Sequence, residues 1–165
     1  MRAILIAVLA LLLSACASAK RLDAANDVHA LLLSIRDNDQ ATFDRHVDRG
    51  ALKQVIQAKL ETEAVKDKRL SGIAAVLAPS LAEFAGEALV QPRTFKMVAE
   101  QYGYNEQTKI PGPVAIASAL KTLPDGRVCA TKTKDGPCVL IFTNVEGTWK
   151  LSGFEGDLSM LRLKL

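Results

Sequence analysis

Cys138 to Phe154 reads CVLIFTNVEGTWKLSGF, and this stretch decides the fold. Two β-rich runs, Pro137–Asn144 and Thr148–Phe154, flank Glu146-Gly147, a pair suited to a tight hairpin turn. Trp149 alternates with Lys150 and Leu151, which directs the indole toward a core. A third run, Arg127–Thr131, precedes them across a polar turn that contains Lys134-Asp135-Gly136. On the other side, Leu158–Leu165 alternates weakly and reads as either a fourth strand or a closing helix.

Upstream of these strands the hydrophobic period lengthens from two residues to between three and four. Ala25, Val28, Leu32 and Ile35 form one helical stripe, with Asp23 as the expected N-cap and Asp37-Asn38-Asp39 as the break. A short helix follows, carrying Phe43 and Val47. Asp48 is placed to cap a helix over 49–66 with the stripe Leu52, Val55/Ile56, Leu60, Ala64. Ser71–Ala78 reads as a helical turn or two, and Ser80-x-x-Glu83 is a capping-box pattern. Pro92 suits the first position of a helix bearing Phe95, Val98 and Ala99, and Gly103 suits its end. Ile110–Pro113 is a rigid break. Val114–Leu120 is ambiguous and leans to helix. The expected architecture is α+β: four to six helices in the N-terminal part, packed on a C-terminal antiparallel β-meander of three to four strands.

The first residues have another purpose. Met1-Arg2 is a short positive start, and Ala3–Leu13 is apolar but too short to cross a bilayer as a helix. The pattern is that of a signal peptide over residues 1–15. Leu13-Ser14-Ala15-Cys16 resembles the lipobox of bacterial lipoproteins, in which cleavage precedes the cysteine and its sulfur takes a diacylglycerol. That resemblance implies lipidation at Cys16; the chain after it reads as a short tether over 16–22, and the remaining length suits a single globular domain over 23–165. The anchor would face the periplasm, with Ala17 after the cysteine pointing to the outer membrane. A competing small-x-small site, Ala17-Ser18-Ala19, would instead release a soluble periplasmic protein beginning at Lys20.

Cys129 and Cys138 remain in the mature chain, and an exported protein meets oxidising conditions. The pair suits a disulfide across a hairpin; the alternative is two buried thiols.

Three stretches are similar to a bacterial family known only as domain-of-unknown-function family 2939. They are Ser34-Ile35-Arg36-Asp37-Asn38-Asp39, Val47-Asp48 with Leu52-Lys53, and Gly147-Thr148-Trp149-Lys150-Leu151-Ser152 preceded by Leu140-Ile141-Phe142. The likeness implies a helical first half and a terminal meander in an exported or tethered protein. It brings no activity and no functional residue with it.

Composition excludes several functions. Formal charge is +3, with 21 basic and 18 acidic side chains among 165 residues and the signs well mixed, so nucleic acid is not an expected partner. No nucleophile elbow, P-loop or dinucleotide fingerprint occurs. His29 and His46 belong to no metal-ligand spacing and read as partly buried helix residues, so neither a metal nor a cofactor is expected. Asp44/Asp48 and Glu83/Glu87 stand four apart, among enough basic residues to read as caps and surface ion pairs. Tyr102 and Tyr104 flank Gly103 and are the candidate mouth of a pocket between helices and sheet. The reading carried forward is a lipid-anchored envelope protein, held to the membrane through acyl chains on Cys16. It would be a non-enzymatic module binding a protein partner or an apolar small ligand. The alternatives are an envelope hydrolase acting on lipid or peptidoglycan, and the soluble periplasmic form cleaved after Ala19.

Overall fold

The computed structural model describes residues 2–66, 89–101, 103–133 and 136–155. Among these are five helices followed by a four-stranded antiparallel sheet. The helices are α1 (Arg2–Asp37), α2 (Gln40–Arg45), α3 (Arg49–Lys66), α4 (Pro92–Gln101) and α5 (Pro113–Ser118). The strands are β1 (Leu120–Thr122), β2 (Val128–Thr131), β3 (Cys138–Val145) and β4 (Thr148–Phe154), in the spatial order β1-β2-β3-β4. The α+β architecture expected from the sequence is the one observed.

Local chemistry sets most boundaries. Asn38 adopts φ 54°, and the amides of Asn38 and Asp39 return to the carbonyls of Ile35 and Ser34. This left-handed closure ends α1. Asp39 then caps α2, its Oδ1 accepting from the Thr42 amide at 3.1 Å, and Asp48 caps α3 by accepting from the Ala51 amide at 2.9 Å. Between β3 and β4, Glu146 and Gly147 both take positive φ, 53° and 86°. That is the turn whose twist matches a two-residue hairpin.

Three observations depart from the sequence reading. Asp23 is no N-cap: α1 runs unbroken through residues 16–22, where Ala, Lys, Arg and Leu favour helix and no breaker intervenes. The fourth strand is β1, Leu120–Thr122, held by antiparallel pairing with Val128–Ala130; the tail 158–165 lies outside the described residues, as do Ser71–Ala78 and the Ser80 capping box. Val47 is not on α2 with Phe43 but follows it, bridging to Leu151 in β4.

The core joins both halves. Ala24, Ala25, Val28 and Leu31 of α1 are buried with Phe43, Val47, Leu52 and Ile56 from the next helices. They meet Ile116, Leu120, Val128, Phe142, Trp149 and Leu151. Phe43 and Phe95 add an edge-to-face contact between α2 and α4, with centroids 5.3 Å apart, a favoured aromatic geometry. Burial along β4 alternates at Trp149, Leu151 and Gly153. Ser152 is an extra residue in the β3–β4 register, which pairs Ile141 with Gly153 but Phe142 with Leu151. A disulfide joins Cys129 to Cys138 across β2 and β3, with Cα atoms 5.5 Å apart, within the usual span of such a bridge.

Candidate binding groove

Helix α1 presents Leu32 and Ile35, about one turn apart and packed in part against the core. Ala99 of α4 stands across from them, and Tyr104, Ile110 and Pro111 from the segment after α4 complete an apolar groove of about 260 Å³. Small Ala99 leaves the space open where a larger side chain would fill it.

The segment that walls the groove is shaped by several bonds. Gly103, at φ 87°, donates to the Glu100 carbonyl, and the Tyr104 amide donates to the Ala99 carbonyl. This is the same left-handed stop that ends α1, and it turns Tyr104 back beside α4. Asn105 Oδ1 accepts from the Gln107 amide at 3.0 Å, and Thr108 Oγ1 accepts from the Asn105 amide at 2.9 Å. His29 Nδ1 donates to the Pro111 carbonyl at 2.9 Å, fastening the far end of the segment to α1.

Charged groups stand at the rim. Lys96 Nζ meets Glu106 Oε1 at 2.7 Å; this bond and the ammonium charge hold the Glu106 carboxyl below its ordinary range and raise Lys96. Arg36 makes two parallel bonds to its neighbour Asp37, at 2.7 and 2.9 Å. That bond lowers Asp37 and raises Arg36. Glu100 also lines the groove. Two of the rim cations are therefore already matched, and the floor is hydrocarbon.

Tyr104 thus does line a pocket, with 55% of its surface exposed. The pocket lies between two helices and a loop, however, and not between helices and sheet. The inner face of the sheet packs instead against α1 and α3, with Trp149 and Leu151 buried in the core. Tyr102 falls outside the described residues.

The histidines sit elsewhere. His46 is buried, its Nδ1 donating to the Thr42 carbonyl at 2.8 Å and its Nε2 lying 3.4 Å from Asp27 Oδ1. Asp27 Oδ2 accepts from the Trp149 amide at 2.7 Å, and Asp23 Oδ2 accepts from the Trp149 indole at 2.8 Å. Sequence reading missed both carboxylates; their i, i+4 spacing on α1 was the available signal. The pair at Asp44 and Asp48 shares no helix face, because α2 ends at Arg45. Asp44 takes Gln40 and Arg49, whereas Asp48 caps α3. Glu83 and Glu87 are outside the described residues. Among the described residues no group of three or more His, Cys, Asp or Glu is placed to hold a metal ion, and no helix is long and apolar enough to cross a membrane.

The geometry defines an α+β protein with an apolar groove on its helical half. The chain belongs to the family described as proteins of unknown function (DUF2939), whose profile matches residues 4–98. That range takes in α1, α2, α3 and most of α4, and stops before the loop that walls the groove and before the sheet. The Gly147–Ser152 likeness lies outside it. No curated protein and no solved structure matches the chain.

Proposed function

We propose that this chain is a lipid-anchored envelope protein whose groove between α1 and α4 binds an apolar ligand or the apolar side chains of a partner, without catalysis. The observation carrying this reading is the groove: a hydrocarbon floor from Leu32, Ile35, Ala99 and Ile110, with charged groups confined to the rim. Binding sites of this kind are apolar with a few polar groups at the mouth. A hydrolase would need convergent polar groups in an open cleft. Here His46 and Asp27 meet beneath Trp149, away from the groove, and His29 is bonded to a main-chain carbonyl.

Anchoring at Cys16 is supported by the lipobox Leu13-Ser14-Ala15-Cys16 at the end of an apolar run. Two or three acyl chains hold a protein firmly, where one binds marginally. Ala17 after the cysteine supports the outer membrane.

The test is mass spectrometry of the mature protein under conditions that keep bound molecules. The expected result is a chain starting at an acylated Cys16 with a co-purifying apolar molecule or partner, lost on Ala99→Trp. An unmodified chain starting at Lys20 refutes the anchor. Binding unaffected by Ala99→Trp, in a protein with unchanged circular dichroism, refutes the groove.

A further inference from the structure

The groove between α1 and α4 has a definite capacity. It encloses about 260 Å³ above a floor of Leu32, Ile35, Ala99 and Ile110. A dry apolar cavity of about 150 Å³ takes up benzene, a molecule of six carbons. On that scale the groove holds about ten. The wall that sets this size is tied at both ends. The Tyr104 amide donates to the Ala99 carbonyl on α4, and His29 Nδ1 of α1 donates to the Pro111 carbonyl.

The groove carries no excess of either charge. Arg36 and Lys96 line it, and so do Glu100 and Glu106. Asp37 and Lys109, the next charged residues along α1 and along the wall, add one of each sign. Lys96 is bonded to Glu106 and Arg36 to Asp37, both at 2.7 Å. A carboxylate or phosphate head entering here meets no surplus of cations, and an ammonium head meets no surplus of anions. Either would give up water without a compensating partner.

The apolar surface is also bounded. Among the described residues the large exposed apolar side chains are Leu22, Met97, Tyr104 and Val114, and of these only Tyr104 lines the groove. A stable protein–protein interface engages about 20–30 residues on each side around an apolar centre. A folded partner therefore has far more to cover than this groove presents, whereas a small molecule fills it.

Resting on the reading of the groove as a binding site, we propose that its occupant is a small uncharged amphiphile. One hydrocarbon chain of up to about ten carbons sits on Leu32, Ile35, Ala99 and Ile110, and a neutral head such as an alcohol, ester or amide stays at the charged rim. Each methylene buried strengthens binding by up to about fourfold until the groove is full, and further carbons remain in water.

The experiment titrates the mature full-length chain, held in zwitterionic phosphatidylcholine nanodiscs, with 1-alkanols, decanoate and decyltrimethylammonium. Binding is read from the methyl resonances of Ile35 and Ile110 against free ligand concentration. Along a series from about six to about fourteen carbons, the alkanol dissociation constant should fall roughly two- to fourfold per methylene and level near ten carbons. Decanoate and decyltrimethylammonium should bind at least about fivefold more weakly than 1-decanol. Ala99→Leu, which adds about three carbons to the floor, should bring the levelling point down to about seven, and Ala99→Trp should abolish binding. A charged head that binds as tightly as 1-decanol overturns this occupant. So does a constant that keeps falling to the longest chain, or a levelling point unmoved by Ala99→Leu; the groove itself then stands if Ala99→Trp still blocks. No shift with any alkyl chain, in a protein with native methyl dispersion, also overturns the occupant and leaves the groove to the side chains of a partner. Shifts that survive Ala99→Trp overturn the groove and this occupant together.

Discussion

The main-chain amide of Trp149 donates to the carboxylate of Asp27 across 122 residues of sequence, at 2.7 Å. The same carboxylate lies 3.4 Å from His46 Nε2. One side chain of α1 thus ties together the sheet and the segment after α2. Hydrogen bonds to a charged acceptor contribute about 1.5–3 kcal/mol, and a buried amide left without a partner costs a similar amount. Asp27→Ala should lower unfolding stability by about that range in a denaturant titration, while Asp27→Asn, which keeps an acceptor, should lose roughly half as much.

Stability should fall on the acid side. Asp37 is lowered by the Arg36 bond, Asp39 by the Thr42 hydroxyl and amide, Glu106 by Lys96, and Asp125 by the Arg127 amide and guanidinium. Burial raises Asp44, but bonds from Gln40 and Arg49 outweigh it, so it too is lowered. Each group binds its proton more weakly in the folded state than in the unfolded one. Its contribution is present above the unfolded value and is lost as pH falls through the folded one. Melting temperature should hold steady from neutrality to about pH 5 and decline below about pH 4, where ordinary carboxylates titrate.

Removing the disulfide should destabilise the sheet. Cys129 is fully buried and Cys138 partly so, and they stand nine positions apart in sequence. Closing a loop of that length in the unfolded chain corresponds to about 2–3 kcal/mol in the chain-entropy account. The Cys129→Ala/Cys138→Ala protein should show a loss of that size in guanidinium unfolding. Reduction of the wild type should move its midpoint toward the same place.

His29 should govern the groove wall. Its bond to the Pro111 carbonyl fixes the end of the segment that carries Tyr104 and Ile110. A net contribution of about 1 kcal/mol for such a bond means that His29→Ala should speed amide exchange over 104–110 by roughly fivefold. Protection of β3 and β4 should stay as it was.

Much of this fold was written locally. Asp48 marks the start of α3, Pro92 and Gly103 bracket α4, and Glu146-Gly147 forms the turn between β3 and β4, each through backbone chemistry contained in a few residues. What escaped depends on distant partners. A three-residue strand such as Leu120–Thr122 has no periodicity of its own and exists through its bonds to Val128–Ala130. Asp23 has the composition of a cap, yet its carboxylate is claimed by an indole 126 residues away. The groove escaped for the same reason. Its walls come from α1, from α4 and from a Pro-rich break whose sequence reads only as irregular, and Tyr104 was the one lining residue that local spacing brought forward.

Among the described residues strand β4 is the last in its sheet, and the side facing away from β3 is furnished with partners of other kinds. The Trp149 amide is taken by a carboxylate, the Leu151 amide by the His46 carbonyl, and the Leu151 carbonyl by the Asp48 amide. A bare outer strand is a template for addition of another chain, and proteins that work at high local density must blunt it. Here the helical half of the same molecule supplies the blunting at Trp149 and Leu151, which closes that stretch of the margin to strand addition by another copy.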